Sequence, residues 1–126
     1  MKAGRVLFAE DDRFLRRAGE AALQRCGLVV LLAADGDEAL ALARQERPDL
    51  VVMDAQMPNR SGLEVLRELR ADAQTRDMRV LILSGSNDQQ DVEQFARLGI
   101  EDYWVKGQLS LKDLGGRVLS VLKRAR

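Results

Sequence analysis

Five short aliphatic runs, each followed by a stretch of helical periodicity, constrain this chain more than any other feature. Residues Arg5–Ala9, 28–33, 50–53, 80–83 and 102–105 read as strands. Helices are predicted over 13–25, 36–45, 63–71, 91–98 and 111–122. The third run, Leu50 to Met53, is apolar throughout, as befits a central parallel strand covered on both faces. In the first helix Leu15, Ala18, Ala22 and Cys26 form one stripe, with Asp12 placed as its N-cap and Gly27 just past its end. Ala39, Leu40 and Ala43 turn inward from the second, which Arg47-Pro48-Asp49 stops. Five strand–helix units with short connections imply a parallel sheet with helices on both faces, since each crossover is right-handed. At 126 residues, with no linker, repeat or low-complexity tract, residues 1–126 are expected to form one domain.

Parallel strands bring their carboxyl ends to one edge of the sheet, where open α/β folds place their ligands. Four strand ends here carry chemistry: Glu10 and Asp11, Asp54, Ser84, and Lys106. Each has an ordinary explanation by itself. A strand-terminal Asp54 is usually a cap or turn former, and Ser84 could cap the fourth helix. Glu10, Asp11 and Asp12 could be a solvated acidic loop, and Lys106 a surface lysine. That loop accounts for one acid well and for three poorly. An acid pair, an acid, a hydroxyl and a lysine at successive strand ends point to one composite site.

A carboxylate can act as a nucleophile towards phosphorus, forming an aspartyl phosphate. Carboxylates crowded beside Asp54 repel one another unless a divalent cation holds them, and Mg²⁺ prefers a few carboxylates, waters and a phosphate oxygen. The expected ligands are Asp11, Asp54 and the backbone carbonyl of Gln56, with Glu10 acting directly or through water. A lysine point charge at Lys106 would pair with the free carboxylate and later with phosphoryl oxygens. The Ser84 hydroxyl could donate to one of those oxygens.

Other chemistries are excluded or disfavoured by composition. Histidine is absent, which removes His acid–base catalysis and His metal ligation. Lys+Arg and Asp+Glu number 20 each, so no overall basic excess argues for direct nucleic-acid or anionic-membrane binding. Cys26, the one cysteine, allows no internal disulfide and reads as a small apolar residue. The longest apolar stretch, 28–34, falls far short of the roughly 20 residues that span a bilayer. No signal-peptide core precedes the first strand, and a cytoplasmic location is expected.

These residues resemble the receiver (phosphoacceptor) domains of two-component response regulators, similar to chemotaxis-type single-domain regulators. The likeness covers nearly the whole chain: Val-Leu-Phe-Ala-Glu-Asp-Asp at 6–12, Asp-x-x-Met-Pro-x-x-x-Gly from Asp54 to Gly62, Leu-Ile-Leu-Ser-Gly at 81–85, and Asp-Tyr-Trp-Val-Lys at 102–106. It implies a flavodoxin-like fold, doubly wound (βα)5, with strand order 2-1-3-4-5. It makes Asp54 the phosphoacceptor, Glu10 and Asp11 the acids for Mg²⁺ or Mn²⁺, Ser84 the switch hydroxyl, Tyr103 the switch aromatic and Lys106 the phosphate-contacting lysine. It further implies a phosphodonor that is a histidine kinase or phosphotransfer protein. The output implied is a change in the fourth helix, fifth strand and fifth helix, read by an effector protein, a fused output domain or a second copy. A receiver catalyses only its own phosphorylation and dephosphorylation and is no enzyme in the usual sense.

Three departures from that family are visible. Receivers mostly follow the lysine with a cis-proline; here Gly107 follows, and a non-proline cis bond costs about 3–4 kcal/mol, so a trans Lys106–Gly107 peptide and a remodelled loop are expected. Trp104 should point opposite Tyr103 and pack beneath a flanking helix. Gly115-Gly116 costs about 1 kcal/mol per glycine relative to alanine, which predicts a fifth helix that is bent, short or frayed. Gln56 and Ser86 should flank the path of an attacking water. Two other readings are disfavoured: a phosphorylation-independent scaffold, because no site position of the family is lost, and an Mg²⁺-dependent phosphohydrolase, because Gln56 stands where the usual second acid would be.

Overall fold

The computed structural model describes residues 3–124, in which five strands alternate with five helices. The strands are β1 Arg5–Ala9, β2 Val29–Ala33, β3 Leu50–Asp54, β4 Val80–Ser84 and β5 Asp102–Val105. The helices are α1 Arg13–Arg25, α2 Gly36–Glu46, α3 Gly62–Ala71, α4 Gln89–Leu98 and α5 Leu111–Lys123. All pairings are parallel and the strand order is β2-β1-β3-β4-β5, the flavodoxin-like topology expected from the sequence.

Strand alternation sorts the core into two layers. Leu7, Ala9, Val51, Met53, Val80 and Ile82 face the layer that holds Ala39, Leu40 and Ala43 of α2, Val65, Leu66 and Leu69 of α3, and Phe95 of α4. Val6, Phe8, Leu50, Val52, Leu81, Leu83 and Trp104 face the opposite layer, against Leu23 of α1 and Leu114, Val118 and Val121 of α5. β3 and β4 are buried at every position, which is why both read as unbroken apolar runs. On α1 the fully buried residues are Gly19, Ala22 and Leu23; Leu15, Ala18 and Cys26 are only half-buried.

Every helix begins on a side-chain cap: Asp12, Asp35, Ser61, Asp88 and Ser110. Asp88 accepts from the amides of Gln90 and Asp91, so α4 starts two residues earlier than its apolar pattern indicates. It also takes the cap away from Ser84, leaving that hydroxyl at the end of β4. Ser61 and Glu64 form a reciprocal capping box at the start of α3.

The fifth helix is neither short nor frayed within the described residues, against that part of the expectation. α5 runs uninterrupted over Leu111–Lys123. Gly115 lies at its crossing with α1, where an added Cβ would stand 2.3 Å from Cys26 Sγ and 3.2 Å from the Ala22 carbonyl oxygen. The glycine costs helix propensity, and its lack of a side chain lets α5 lie against Cys26 and the Ala22 carbonyl. At the far end, the Arg79 guanidinium donates to the carbonyls of Val121 and Leu122 and pairs with Glu101, satisfying groups that would otherwise fray. The other two departures behave as expected. No peptide among the described residues is cis, and a 3₁₀ turn over Lys106–Gln108 leads from β5 towards α5. Trp104 is buried against α5, with the Arg117 guanidinium 5.5 Å from its ring centre, while Tyr103 faces α4.

Candidate functional site

The parallel sheet places four strand ends side by side at its carboxyl edge. Asp54 closes β3, and its neighbour Ala55 donates to the Leu83 carbonyl of β4, which locks the two ends in register. Glu10 follows β1, and its amide donates to Ala33 of β2. Ser84 closes β4, and Lys106 follows β5. Glu10 and Asp54 are almost wholly buried, whereas Asp11 is exposed.

Carboxylate oxygens of Glu10, Asp11 and Asp54 lie within 4.8 Å of one another. Lys106 Nζ bridges two of these acids, 2.8 Å from Asp54 Oδ2 and 2.7 Å from Glu10 Oε1. The remaining oxygens find backbone donors: Asp54 Oδ1 accepts from the Gln56 amide at 3.0 Å, and Glu10 Oε2 from the Asp12 amide at 3.1 Å. Glu10 Oε1 differs. It touches Lys106, but the contact is not aligned as a hydrogen bond, so a fully buried carboxylate oxygen is left without one.

The electrostatics follow from burial. Loss of solvent pushes the Glu10 carboxyl up to about 7; the contact with Lys106 and the Asp12 amide oppose that, and the nearby Asp54 charge adds to it. Burial works against the Lys106 ammonium too, yet the carboxylates of Asp54 and Glu10 prevail and hold its pKa above the ordinary lysine value. Three carboxylates facing one ammonium leave surplus negative charge. That surplus and the Glu10 oxygen lacking a hydrogen bond fit a divalent cation between Glu10, Asp11 and Asp54.

Ser84 and Tyr103 meet at Ser86. The Ser86 amide donates to Ser84 Oγ at 3.1 Å, and its carbonyl accepts from the Tyr103 hydroxyl at 2.7 Å. The Tyr103 ring lies 5.9 Å from that of Phe95 on α4, tilted by 52°. The serine and the tyrosine therefore grip opposite ends of one residue in the β4–α4 loop.

One participant went unrecognised in the sequence. Arg16 Nη1 donates to the carbonyls of Glu10 at 2.8 Å and Asp11 at 3.2 Å, fixing the backbone of the acidic loop. A signal was present: helix N-termini disfavour cations, so an arginine in the first turns of α1 needs a compensating partner.

Comparison with known proteins agrees with this geometry. Residues 6–117 match the response regulator receiver domain. A probable transcriptional regulator, ycf27, of Porphyridium aerugineum is 38% identical over 98% of this chain and 50% of its own length. The chain spans about half the length of the curated relatives it matches. The receiver domain of a Francisella response regulator superposes with a TM-score of 0.86 at 31% identity, covering 98% of this chain and 99% of that one. The receiver domain of a sensor histidine kinase from Pseudomonas aeruginosa, with a magnesium ion coordinated in its active-site cleft, gives 0.85 at 28% identity over 98% of this chain and all of that one.

Proposed function

The chain belongs to the response regulator receiver family, and from that membership we propose that Asp54 is its phosphoacceptor, with Lys106 and a divalent cation on Glu10, Asp11, Asp54 and the Gln56 carbonyl completing the site. Receiver domains of two-component systems are phosphorylated by histidine kinases, and they are signalling phosphoacceptors rather than enzymes of a substrate. The observation that carries the assignment is the contact of Asp54 Oδ2 with Lys106 beside the hydrogen-bond-free Glu10 oxygen.

An Asp54 oxygen attacks phosphorus in line, and the bond from phosphorus to the donor's leaving atom breaks. Little covalent chemistry falls to the protein, so positioning and charge dominate. A bound Mg²⁺ supplies positive charge that offsets the oxygens of the transferring group. Lys106, already beside Asp54, needs only a short swing to reach a phosphoryl oxygen. Ser84 Oγ accepts from Ser86 in the free state and has its proton free to donate to a phosphoryl oxygen. Turning towards that oxygen loosens its hold on Ser86, and through Ser86 on Tyr103. The change then reaches α4, β5 and α5, where a downstream effector, an output domain on the same polypeptide or a second copy would read it.

The single sheet and the family match over 6–117 support residues 1–126 as one receiver domain. No helix among the described residues is long and apolar enough to cross a membrane. Incubation with Mg²⁺ and acetyl phosphate tests the assignment by intact mass. The wild type should gain one phosphoryl group and Asp54→Asn none; equal labelling of both would end the proposal.

A further inference from the structure

The segment between Asp54 and α3 carries the Gln56 carbonyl, and its outer half is held largely by the start of α2, with Arg60 Nη1 also 3.8 Å from Glu68 of α3. At its root the loop is closed by the Gly62 amide donating to the Ala55 carbonyl at 3.0 Å. At its tip the contacts are with α2. The Gly36 amide lies 3.3 Å from the Pro58 carbonyl oxygen. Asn59 Nδ2 donates to Asp35 Oδ2 at 3.1 Å, while Asp35 Oδ1 caps α2 through the Glu38 amide at 2.8 Å. Arg60 Nε donates to Asp37 Oδ1 at 2.9 Å.

Two further observations show that this contact is specific. An added Cβ on Gly36 would lie 1.8 Å from the Arg60 carbonyl oxygen and 2.5 Å from its carbon, so no side chain fits between helix and loop. Asn59 sits in the left-handed region, with φ of 67°, a conformation asparagine tolerates better than most residues, and its own side chain is the group tied to Asp35. The helix start and the loop tip are complementary in shape and in hydrogen bonding.

We propose that Asp35, Gly36 and Asp37 form a clasp that fixes the β3–α3 loop through Pro58, Asn59 and Arg60, making these positioning residues for the metal carbonyl at Gln56 and for Asp54. The clasp rests on the phosphoacceptor reading for its purpose, but not for its geometry. It pre-orders the loop before any ion arrives, so the ion need not bear the ordering entropy. Groups bonded directly to a metal ligand commonly alter its affinity by about 10–100-fold, and the clasp acts one step further out, through the loop backbone that carries Gln56.

The test uses the full chain, with Gly36→Ala, Asp37→Ala, Arg60→Ala and the Asp37→Ala/Arg60→Ala double variant. Mg²⁺ affinity is read by calorimetric titration, and amide hydrogen exchange of residues 55–61 is read on metal-free protein alongside the melting temperature. Gly36→Ala should weaken Mg²⁺ by about tenfold or more and speed loop exchange. Arg60→Ala and Asp37→Ala should each have a smaller effect in the same direction, and the double variant should lose no more than the worse single one. Melting temperature should move little in the two exposed-pair variants, whether or not Gly36→Ala folds. Wild-type Mg²⁺ affinity and loop exchange in Arg60→Ala and Asp37→Ala would overturn the clasp. A wild type that takes up no Mg²⁺ counts against the phosphoacceptor reading instead, and the metal-free exchange still decides the clasp.

Discussion

Lys106 Nζ lies 2.8 Å from Asp54 Oδ2 across fifty-two positions of sequence. The same ammonium stands 2.7 Å from Glu10 Oε1, so one cation spans the ends of β1, β3 and β5. Among the described residues it is the only basic side chain in contact with the carboxylate of either buried acid. On the proposed reading, this arrangement presents positive charge beside Asp54, where a phosphoryl group would arrive.

Replacing Lys106 by Ala should therefore separate binding from transfer. Loss of a preorganised charge at the reacting group typically costs about 100-fold in rate. Lys106 also competes with a divalent ion for Glu10 and Asp54, so Mg²⁺ should bind the variant as tightly as the wild type or more so. Initial rates of Asp54 labelling from acetyl phosphate, set beside a Mg²⁺ titration, check both halves. An undiminished rate would remove Lys106 from the chemistry.

The raised Glu10 carboxyl gives a pH dependence with a definite sign. Its folded value of about 7 lies above the ordinary 4.5, so the metal-free folded state holds a proton that the unfolded state releases. The resulting stability is fully present below about 4.5 and fades as pH rises through about 7. One pKa unit is worth about 1.4 kcal/mol, so the effect on melting is measurable. Metal-free protein should lose stability across this window relative to Glu10→Gln. Mg²⁺ affinity should rise over the same window, because the ion displaces the Glu10 proton. A melting curve against pH that is identical in the variant would refute the assignment to Glu10.

The two glycines of α5 should respond oppositely to alanine. Gly115→Ala drives a methyl group into Cys26 Sγ and should destabilise the fold by about 1–3 kcal/mol, as overpacked sites do. Cys26→Ala should recover much of that loss in the double variant. Gly116 has nothing within 4 Å of an added Cβ, and Gly116→Ala should stabilise by up to about 1 kcal/mol. Urea melts of the four proteins decide it; a stabilising Gly115→Ala would mean that α1 and α5 do not pack as described.

The contrast between these glycines shows how far the sequence could be read. The strands and their end residues were legible because β3 and β4 are buried on both faces and so announce themselves as apolar runs, whereas the strand order followed from the family resemblance. The reason for Gly115 was not. A helix propensity is local, whereas the constraint on Gly115 is Cys26, on another helix far away in sequence. Gly36 escaped for the same cause: it is defined by the carbonyl of Arg60, and no periodicity encodes that contact. The trans peptide at Lys106–Gly107, by contrast, follows from local energetics alone and was foreseeable.

The grip of Ser84 and Tyr103 on Ser86 has a separable consequence. Tyr103→Phe keeps the ring against Phe95 and removes only the donor to the Ser86 carbonyl, so stability should fall by about 1 kcal/mol or less. Ser84→Ala removes the acceptor for the Ser86 amide from the other side. Both variants should speed hydrogen exchange in residues 85–88 while leaving β3 and α3 protected. If Ser86 joins the hydroxyl to the aromatic ring, the double variant should gain little beyond the larger single effect, since either change alone already frees one end of the same residue. Fully additive acceleration would mean that Ser84 and Tyr103 act on the loop independently, and the route from Asp54 to α4 would have to run elsewhere.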